Sequence, residues 1–402
     1  MKRPFLLLMV LVLLIAPAAS QAAQFAVFGP RALGMGGASV AAVNDSTAVY
    51  WNPAALAGSR KVDIRIPAGV AVRDYMDLSN NWDTIQSIYD NPGGVTPATA
   101  DQLKQILLGF DKPGSVTNLD MTGGLLVSFP VSSSGFAVSA LAIGYGELFP
   151  TVDTFNMNTT NLAAADSIEN NNSAVTAAGL VLAEPTISFA TSLGSSFLIG
   201  VNAKMVYAST FLHSERLQDG NFDTFIDNMD NSETKSSKAS IDAGILFRPV
   251  DSIGIGVVGR YLNSPSFPIT GTVAVPQGNG DVVIPLLPVT DTIELKPQYR
   301  AGIAWKPSRN LTLSADYDLS KNESFSERTE DQTIAGGAEL TMFSEVLSLR
   351  AGAYKNTAND LANVVYTAGL GLRLAAFRLD LAGAYDFKEQ EAQASASLAL
   401  SF

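Results

Sequence analysis

Beyond residue 60, apolar and polar residues alternate along most of this chain with a period of two. That is the pattern of strands with one apolar face. In the last ten residues, Ala394, Ala396, Leu398, Leu400 and Phe402 share one face, opposite Ser395, Ser397, Ala399 and Ser401. Phe377, Leu379, Leu381, Gly383, Tyr385 and Phe387 alternate with Arg378, Asp380, Ala382, Ala384 and Asp386. Leu311, Leu313, Ala315, Tyr317 and Leu319 oppose Thr312, Ser314, Asp316, Asp318 and Ser320. Val62, Ile64, Ile66, Val70 and Val72 oppose Lys61, Asp63 and Arg65. The pattern predicts fourteen strands, near 61–72, 119–130, 136–147, 174–192, 196–211, 238–248, 252–263, 291–306, 311–320, 331–343, 347–356, 363–374, 377–388 and 393–402. Glu184 and Pro185 fall inside one of them, and proline cannot donate to a ladder, so a kink, bulge or break is expected there.

A soluble sandwich also alternates. Length and connection favour a membrane barrel instead. Soluble strands usually run about five or six residues, whereas a tilted membrane strand needs about 9–11. Short turns at 132–135, 249–251, 307–310 and 375–376 alternate with long polar loops at 148–173, 212–237 and 265–290. Short turns on one rim and long loops on the other are the layout of an outer-membrane barrel, and an even strand number places both chain ends on the short-turn side. Tyr261, Trp305 and Tyr385 suit the aromatic girdles. The expected fold is all-β: a fourteen-stranded antiparallel transmembrane barrel over 61–402. Residues 73–118 interrupt it with a helical pattern, Leu103, Ile106, Leu107 and Phe110 following Pro97 and Asp101. This insert follows the first upward strand and belongs on the extracellular side. It reads either as a lid over the mouth or as a packed cap with no gating role.

The first 22 residues read as a secretory signal. Lys2 and Arg3 precede an unbroken apolar run from 5 to 16, then a small-residue region with Ser20-x-Ala22 as cleavage site. Twelve apolar residues are short for the about 20 of a spanning helix. Export with strands as the only spans places the protein in the outer membrane of a Gram-negative bacterium. Among 402 residues, 26 bases stand against 38 acids, a net charge of −12. Loss of Lys2 and Arg3 changes this to 24 − 38 = −14. An acidic chain argues against nucleic acid as a partner. Charged residues make up 16%, below the roughly 25% of soluble domains. The absence of cysteine excludes disulfides, thiolate metal sites and cysteine nucleophiles.

Candidate chemistry is sparse. His213, the single histidine, has Ser214 and Glu215 beside it, but sequence adjacency does not make a triad, and a solvated loop histidine is the favoured reading. Asp219, Asp223, Asp227, Asp230 and Glu233 make the same loop acidic without the spacing of a calcium loop. No cofactor or metal site and no enzyme activity are expected. Arg248, Arg260, Arg300, Arg350, Arg373 and Arg378, with Asp242, Glu294, Asp316, Asp318, Asp380 and Asp386, are expected to line the lumen. An Arg facing lipid at the midplane would cost about 2–4 kcal/mol. Two readings of that lining are open: a salt-bridged filling, or a polar permeation path.

Residues 23–60 precede the first strand and are rich in Gly, Ala and Asn. Gly34-Met35-Gly36-Gly37-Ala38, Asn44-Asp45 and Asn52-Pro53-Ala54 stand out. The glycines permit positive φ and close chain approach, and the Asn and Asp side chains can hold turns. Asn52 precedes proline and is pushed to an extended conformation. The segment from Gly29 to Ala57 resembles the entry segment of the FadL/OmpP1 outer-membrane superfamily, closest to the branch of conjugal transfer TraF-like barrels. The resemblance implies fourteen strands, a small N-terminal plug in the lumen, and Gly34, Gly36, Gly37, Asn44, Asp45, Asn52, Pro53 and Ala54 as plug or ligand-gating residues. It also implies that Phe402 is a terminal signal for the barrel-assembly machinery. The function implied is passive uptake of hydrophobic small molecules such as long-chain fatty acids, with membrane lipid around the wall. The alternative is a structural or accessory barrel of a conjugation or secretion system. A transporter is expected to hold a continuous apolar cavity from mouth to plug; an accessory barrel is expected to have a lumen filled by salt-bridged side chains.

Overall fold

The computed structural model describes residues 24–92, 94–164, 166–219, 222–275, 284–388 and 390–402. The signal segment 1–22 lies outside them. Two short helices, α1 (Pro30–Gly34) and α2 (Ala48–Trp51), and a 3-10 turn over Pro53–Gly58 precede the wall. Then come β1 (Asp63–Asp74), α3 (Leu78–Tyr89), α4 (Pro97–Phe110), β2 (Thr117–Val131), β3 (Ser134–Thr151), β4 (Ala174–Leu193), β5 (Phe197–Arg216), α5 (Phe222–Asn231), β6 (Thr234–Val250) and β7 (Ile253–Arg260). The chain continues through β8 (Ser266–Ala274), β9 (Leu286–Glu294), β10 (Gln298–Trp305), β11 (Leu311–Asp318), β12 (Asn322–Glu323) and β13 (Glu330–Asp331). It ends with β14 (Thr333–Met342), β15 (Leu347–Asn356), β16 (Val365–Leu374), β17 (Phe377–Tyr385) and β18 (Glu391–Ser401).

Fourteen of these strands form one closed antiparallel barrel, shut by β1 against β18 from Asp63↔Ser401 to Arg73↔Glu391. Closure pairs every backbone group along the wall, which a membrane demands. The alternation sorts the faces as expected. Ile66, Ile187 and Leu398 point outward and are 58%, 67% and 64% exposed, while Asp63, Arg65, Ser188 and Ser397 are buried inside. Near the short turns the outer face carries packed phenylalanines: Phe129 stacks on Phe136, Phe197 stacks on Phe247, and Phe189 tilts against Phe136. At the other end Tyr366 pairs with Tyr385, and Phe387 packs on both. Phe377 and Tyr385 bound the nine residues of β17. With strand rise and tilt, these rings stand about 20–25 Å apart, close to the about 25 Å apolar band of such barrels.

Several expectations need correction. The span 291–306 is not one strand: Pro297 lacks a donor, and the wall resumes only at Gln298. Its first part is β9, paired with β8 in a hairpin inside the expected loop 265–290. This hairpin lies against the lumen side of β5, where Thr210 Oγ1 donates to the Pro268 carbonyl and Ser214 Oγ to the Thr272 carbonyl. β3 to β6 run 17 to 20 residues, so they extend past the lipid band as a tall wall. His213 therefore sits in β5, not in a loop. Pro185 does not break β4: it keeps its register with Ala140 of β3, and only the β5 ladder skips residues 184–185. Tyr261 is no girdle residue, since its φ of +52° turns the ring into the lumen, 1% exposed.

The insert folds as α3 and α4. Thr96 caps α4 in a reciprocal pair with Thr99, and Pro97 opens its first turn. Ala100, Leu103, Ile106, Leu107 and Phe110 form its buried stripe and join Ile85, Ile88, Ile168, Val175 and Leu217 in one core at the long-loop end.

Candidate functional site

Residues 24–60 lie inside the barrel. Their aromatic core is compact: Phe28 stacks on Tyr50 at 4.8 Å, and Phe25 packs on Tyr50 and Trp51. Trp51 Nε1 donates to the Phe28 carbonyl at 2.9 Å and Tyr50 Oη to that of Ala26 at 2.6 Å, so both aromatic dipoles are satisfied. Burial pushes the Tyr50 hydroxyl up to about 12.

The wall receives this segment on glycines. A Cβ on Gly352 would lie 2.5 Å from the Met35 carbonyl carbon, and one on Gly337 equally close. Gly200 meets Pro53 and Ala54, Gly244 meets Asn52, and Gly256 meets Val40. Missing side chains on these strands thus make room for the plug backbone.

Charge fixes the seat. Glu339 accepts from Arg31 at 2.7 and 3.0 Å and from Arg350 Nε at 2.8 Å. Arg350 continues to Asp380 at 2.8 Å, which also pairs with Arg378 and Arg65. Arg65 closes the chain on Asp63 and Asp45. Burial pushes the Asp45 carboxyl up, but Arg65 and Arg31 outweigh it and hold it down at about 2. Asp316 accepts the Ser39 and Val40 backbone amides at 2.7 and 2.9 Å. Opposite, Lys204 bridges Glu184 and Asp242, Arg260 lies 4.0 Å over the Tyr50 ring, and Arg300 pairs with Asp318 while covering Phe25 at 4.2 Å.

The candidate residues of the plug fall in two places. Gly34 and Gly36 seat on β14 to β16, while Gly37 packs on Val27 of the same segment. Gly36 and Gly37 have φ of +69° and +83°, whereas Gly34 ends α1 and matters for close approach to Gly369. Asn52, Pro53 and Ala54 seat on β5 to β7. Asn52 is extended, accepts from Ala54 N and donates to the Ile245 carbonyl. Asn44 accepts from Arg31, and Asp45 from Thr47. Phe402 exchanges two backbone bonds with Val62 and stays 63% exposed in the lower ring.

The expected lumen charges are only partly there. Arg260, Arg300, Arg350, Asp242, Asp316, Asp318 and Asp380 are buried inside. Arg373 instead pairs with Glu345 at the short-turn rim, Arg248 lies against Gly58, Glu294 ends the inner hairpin, and Asp386 holds the backbone amides of Lys388 and Gln390. Arg31, Arg65, Arg73, Glu184, Lys204 and Glu339 carry much of the network without having been singled out. His213 and Ser214 point to opposite faces of β5. His213 meets Glu215, Phe225 and, at 3.5 Å, Thr272 Oγ1, while Ser214 Oγ bonds the hairpin backbone at Thr272 and Ala274, so among the described residues no hydrogen bond joins the His213 and Ser214 side chains. Among the described residues no group of three or more acids or histidines is placed to hold a metal.

Two cavities among the described residues bear on the segment. An inner chamber of about 100 Å³ lies above the plug, bounded by Phe25, Arg73, Tyr145, Asn322, Asp331 and Glu391 among others. An outer crevice of about 460 Å³ runs under α3, against Val72, Leu78, Trp82, Leu148, Val175 and Phe225. Glu391 borders both. None of the eight plug candidates lines either cavity; the segment contributes Gln24 to Val27 and Leu33.

A family model described as "F plasmid transfer operon, TraF, protein" matches residues 49–318. No curated protein matches the chain. Among solved structures, the toluene transporter TbuX of Ralstonia pickettii aligns with a TM-score of 0.56 and 13% identity, over 93% of this chain and 97% of that one. A FadL homologue of Pseudomonas aeruginosa gives 0.54 and 13%, over 94% and 99%. The toluene transporter TodX of P. putida gives 0.53 and 12%, over 94% and 98%. The shared feature at these identities is the FadL-type barrel fold.

Proposed function

The chain belongs to this TraF family, and from that premise and its FadL-type fold we propose that it is an outer-membrane barrel admitting small hydrophobic compounds passively, with its N-terminal segment as the gate. The outer crevice carries this reading. Its volume falls within the about 300–1,000 Å³ of ligand sites, and its walls are mostly apolar. It lies at the level of the upper aromatic ring, where a compound dissolved in the outer leaflet meets the protein. Glu391, shared by both cavities, marks the shortest way inward. The inner chamber is smaller than the about 150 Å³ that holds benzene in an engineered protein cavity. Passage of a toluene-sized molecule, and all the more of a fatty acid, therefore needs the plug or the 319–332 loop to shift.

One observation favours the second reading, an accessory barrel of a conjugation or secretion system: below the chamber, the lumen is filled by a network of ion pairs between wall strands, to which Arg31–Glu339 and Asp45–Arg65 tie the plug. Uptake of radiolabelled toluene and oleate by cells lacking the chain, complemented with wild type or Trp82→Ala, separates the two. Transport predicts slower uptake in the deletion strain and partial rescue by the variant. Unchanged uptake of both compounds would discard transport and leave the accessory role.

A further inference from the structure

The inner chamber differs in chemistry from the crevice outside it. Six acids border it, Asp120, Glu147, Glu323, Glu330, Asp331 and Glu391, against two bases, Arg73 and Arg300. Both bases are committed: Arg73 to Asp120 at 2.6 Å, and Arg300 to Asp318, which stands outside the lining. Lys321 binds Glu330 from behind at 2.6 Å. Asp331 has no base within salt-bridge distance among the described residues, and Glu391 meets Arg73 only at 4.0 Å. Burial and the neighbouring Asp318 push the Asp331 carboxyl up to about 7 against the pull of Arg73 and Arg300, so a cation at the hairpin of β12 and β13 would meet a carboxyl that its own charge draws into the ionised form.

Aromatic rings border the same space: Tyr75, Tyr145, Phe325 and Tyr354. A fifth, Phe25, already carries the Arg300 guanidinium on its face. Such rings attract cations through their quadrupole, and aromatic cages of this composition recognise ammonium groups. An independent observation points to an occupant. Asn322 is 1% exposed and borders the chamber, yet neither Oδ1 nor Nδ2 has a partner among the described residues. A buried amide left unbonded is costly, and a polar guest would relieve it.

We propose that the inner chamber binds a small organic cation, an alkylammonium or amine, held by Asp331 and Glu391, the surrounding rings and the Asn322 amide. The site stands on the chamber alone and is independent of whether the barrel conducts hydrophobic compounds. A divalent ion fits less well, because no described group of three acids converges on a point.

The test is calorimetric titration of the folded barrel in nanodiscs with ammonium, methylammonium and ethylammonium, cations small enough for a chamber of about 100 Å³. The comparison compound is ethanol, an uncharged analogue of ethylammonium of the same size. We expect at least one cation to bind tenfold or more tighter than the alcohol. Asp331→Asn, on a loop strand outside the wall, and Asn322→Ala should each weaken that cation tenfold or more while keeping heat-modifiable mobility. Binding of the alcohol as tight as ethylammonium, no heat from any of the three cations, or full affinity in folded Asp331→Asn would each overturn the assignment. Loss of toluene uptake in cells with intact cation binding would instead count against the transport reading alone.

Discussion

Replacing Glu339 with Gln should loosen the plug without opening the wall. Glu339 is buried and is the only carboxylate within salt-bridge distance of Arg31 among the described residues. Gln keeps the shape and one acceptor but removes the charge, leaving the Arg31 guanidinium buried beside a neutral amide. Breaking a buried pair from one side costs about 3–5 kcal/mol. Here the lower end applies, because Arg350 retains Asp380 at 2.8 Å and Arg31 retains the Ala42 carbonyl and Asn44 at 3.2 Å. About 3 kcal/mol at about 1.4 kcal/mol per decade raises the unseated fraction on the order of 100-fold. The chain has no cysteine, so Ala41→Cys, at a position 5% exposed against the wall, gives a reporter without background. When closing is faster than reaction, maleimide labelling reports the open population. Glu339→Gln should therefore label about 100-fold faster than the parent. Arg31→Met added to it removes the orphaned charge and should return most of the protection. Labelling of Glu339→Gln at the parent rate, in a barrel with normal heat-modifiable mobility, would refute the ion pairs as the latch and leave the glycine seats to hold the segment.

Two further outcomes test the seat and the closing strand. Gly352→Ala places a Cβ 2.5 Å from the Met35 carbonyl carbon, so it should speed Ala41→Cys labelling, whereas Gly383→Ala, whose nearest neighbour is at 3.7 Å, should not; equal rates would mean that the wall glycines are not the seat. Phe402→Ser should lower the folded barrel in the outer membrane, since Phe402 ends the strand pairing that joins β18 to the start of the wall; wild-type abundance on a heat-shift gel would refute this.

The wall was legible because lipid on one side and polar space on the other impose a period of two over eight or more residues. No such constraint acts above the lipid band. There β8 and β9 pair over sequence that reads as a polar loop, and β5 runs on through His213. The N-terminal segment stood out in the sequence as glycine-rich, but the wall glycines that receive it did not. Gly337 and Gly352 interrupt their strands with a missing side chain, and what fills the gap lies about three hundred residues earlier. The latch had the same problem. Arg31 and Glu339 are isolated charges until the barrel closes, 308 positions apart in sequence. Tyr261 failed for a local reason: one residue with positive φ moved an aromatic from the girdle to the lumen.

A buried ion-pair chain is weak evidence for stability, since apolar packing of equal volume often serves as well. Its value here is directional. Arg31, Arg65, Arg350 and Arg378 share Glu339, Asp63, Asp45 and Asp380 in alternation, so the plug has one register in which each acid meets a base. A greasy plug in a greasy lumen could slide; unseating this one would leave Arg31 and Asp45 without their wall partners. That arrangement suits a gate, which needs two states, and it equally suits a permanent seal, which needs one. The difference lies in how far above the seated state the unseated one stands. A gap that shrinks to a few kcal/mol when one pair is removed belongs to a gate, because a ligand selective for the unseated state can supply that much. If the glycine seats and the Asp316 cradle keep the segment closed after Glu339 is neutralised, no plausible differential binding by a toluene-sized molecule would unseat it. The accessory role would then follow from the lumen itself.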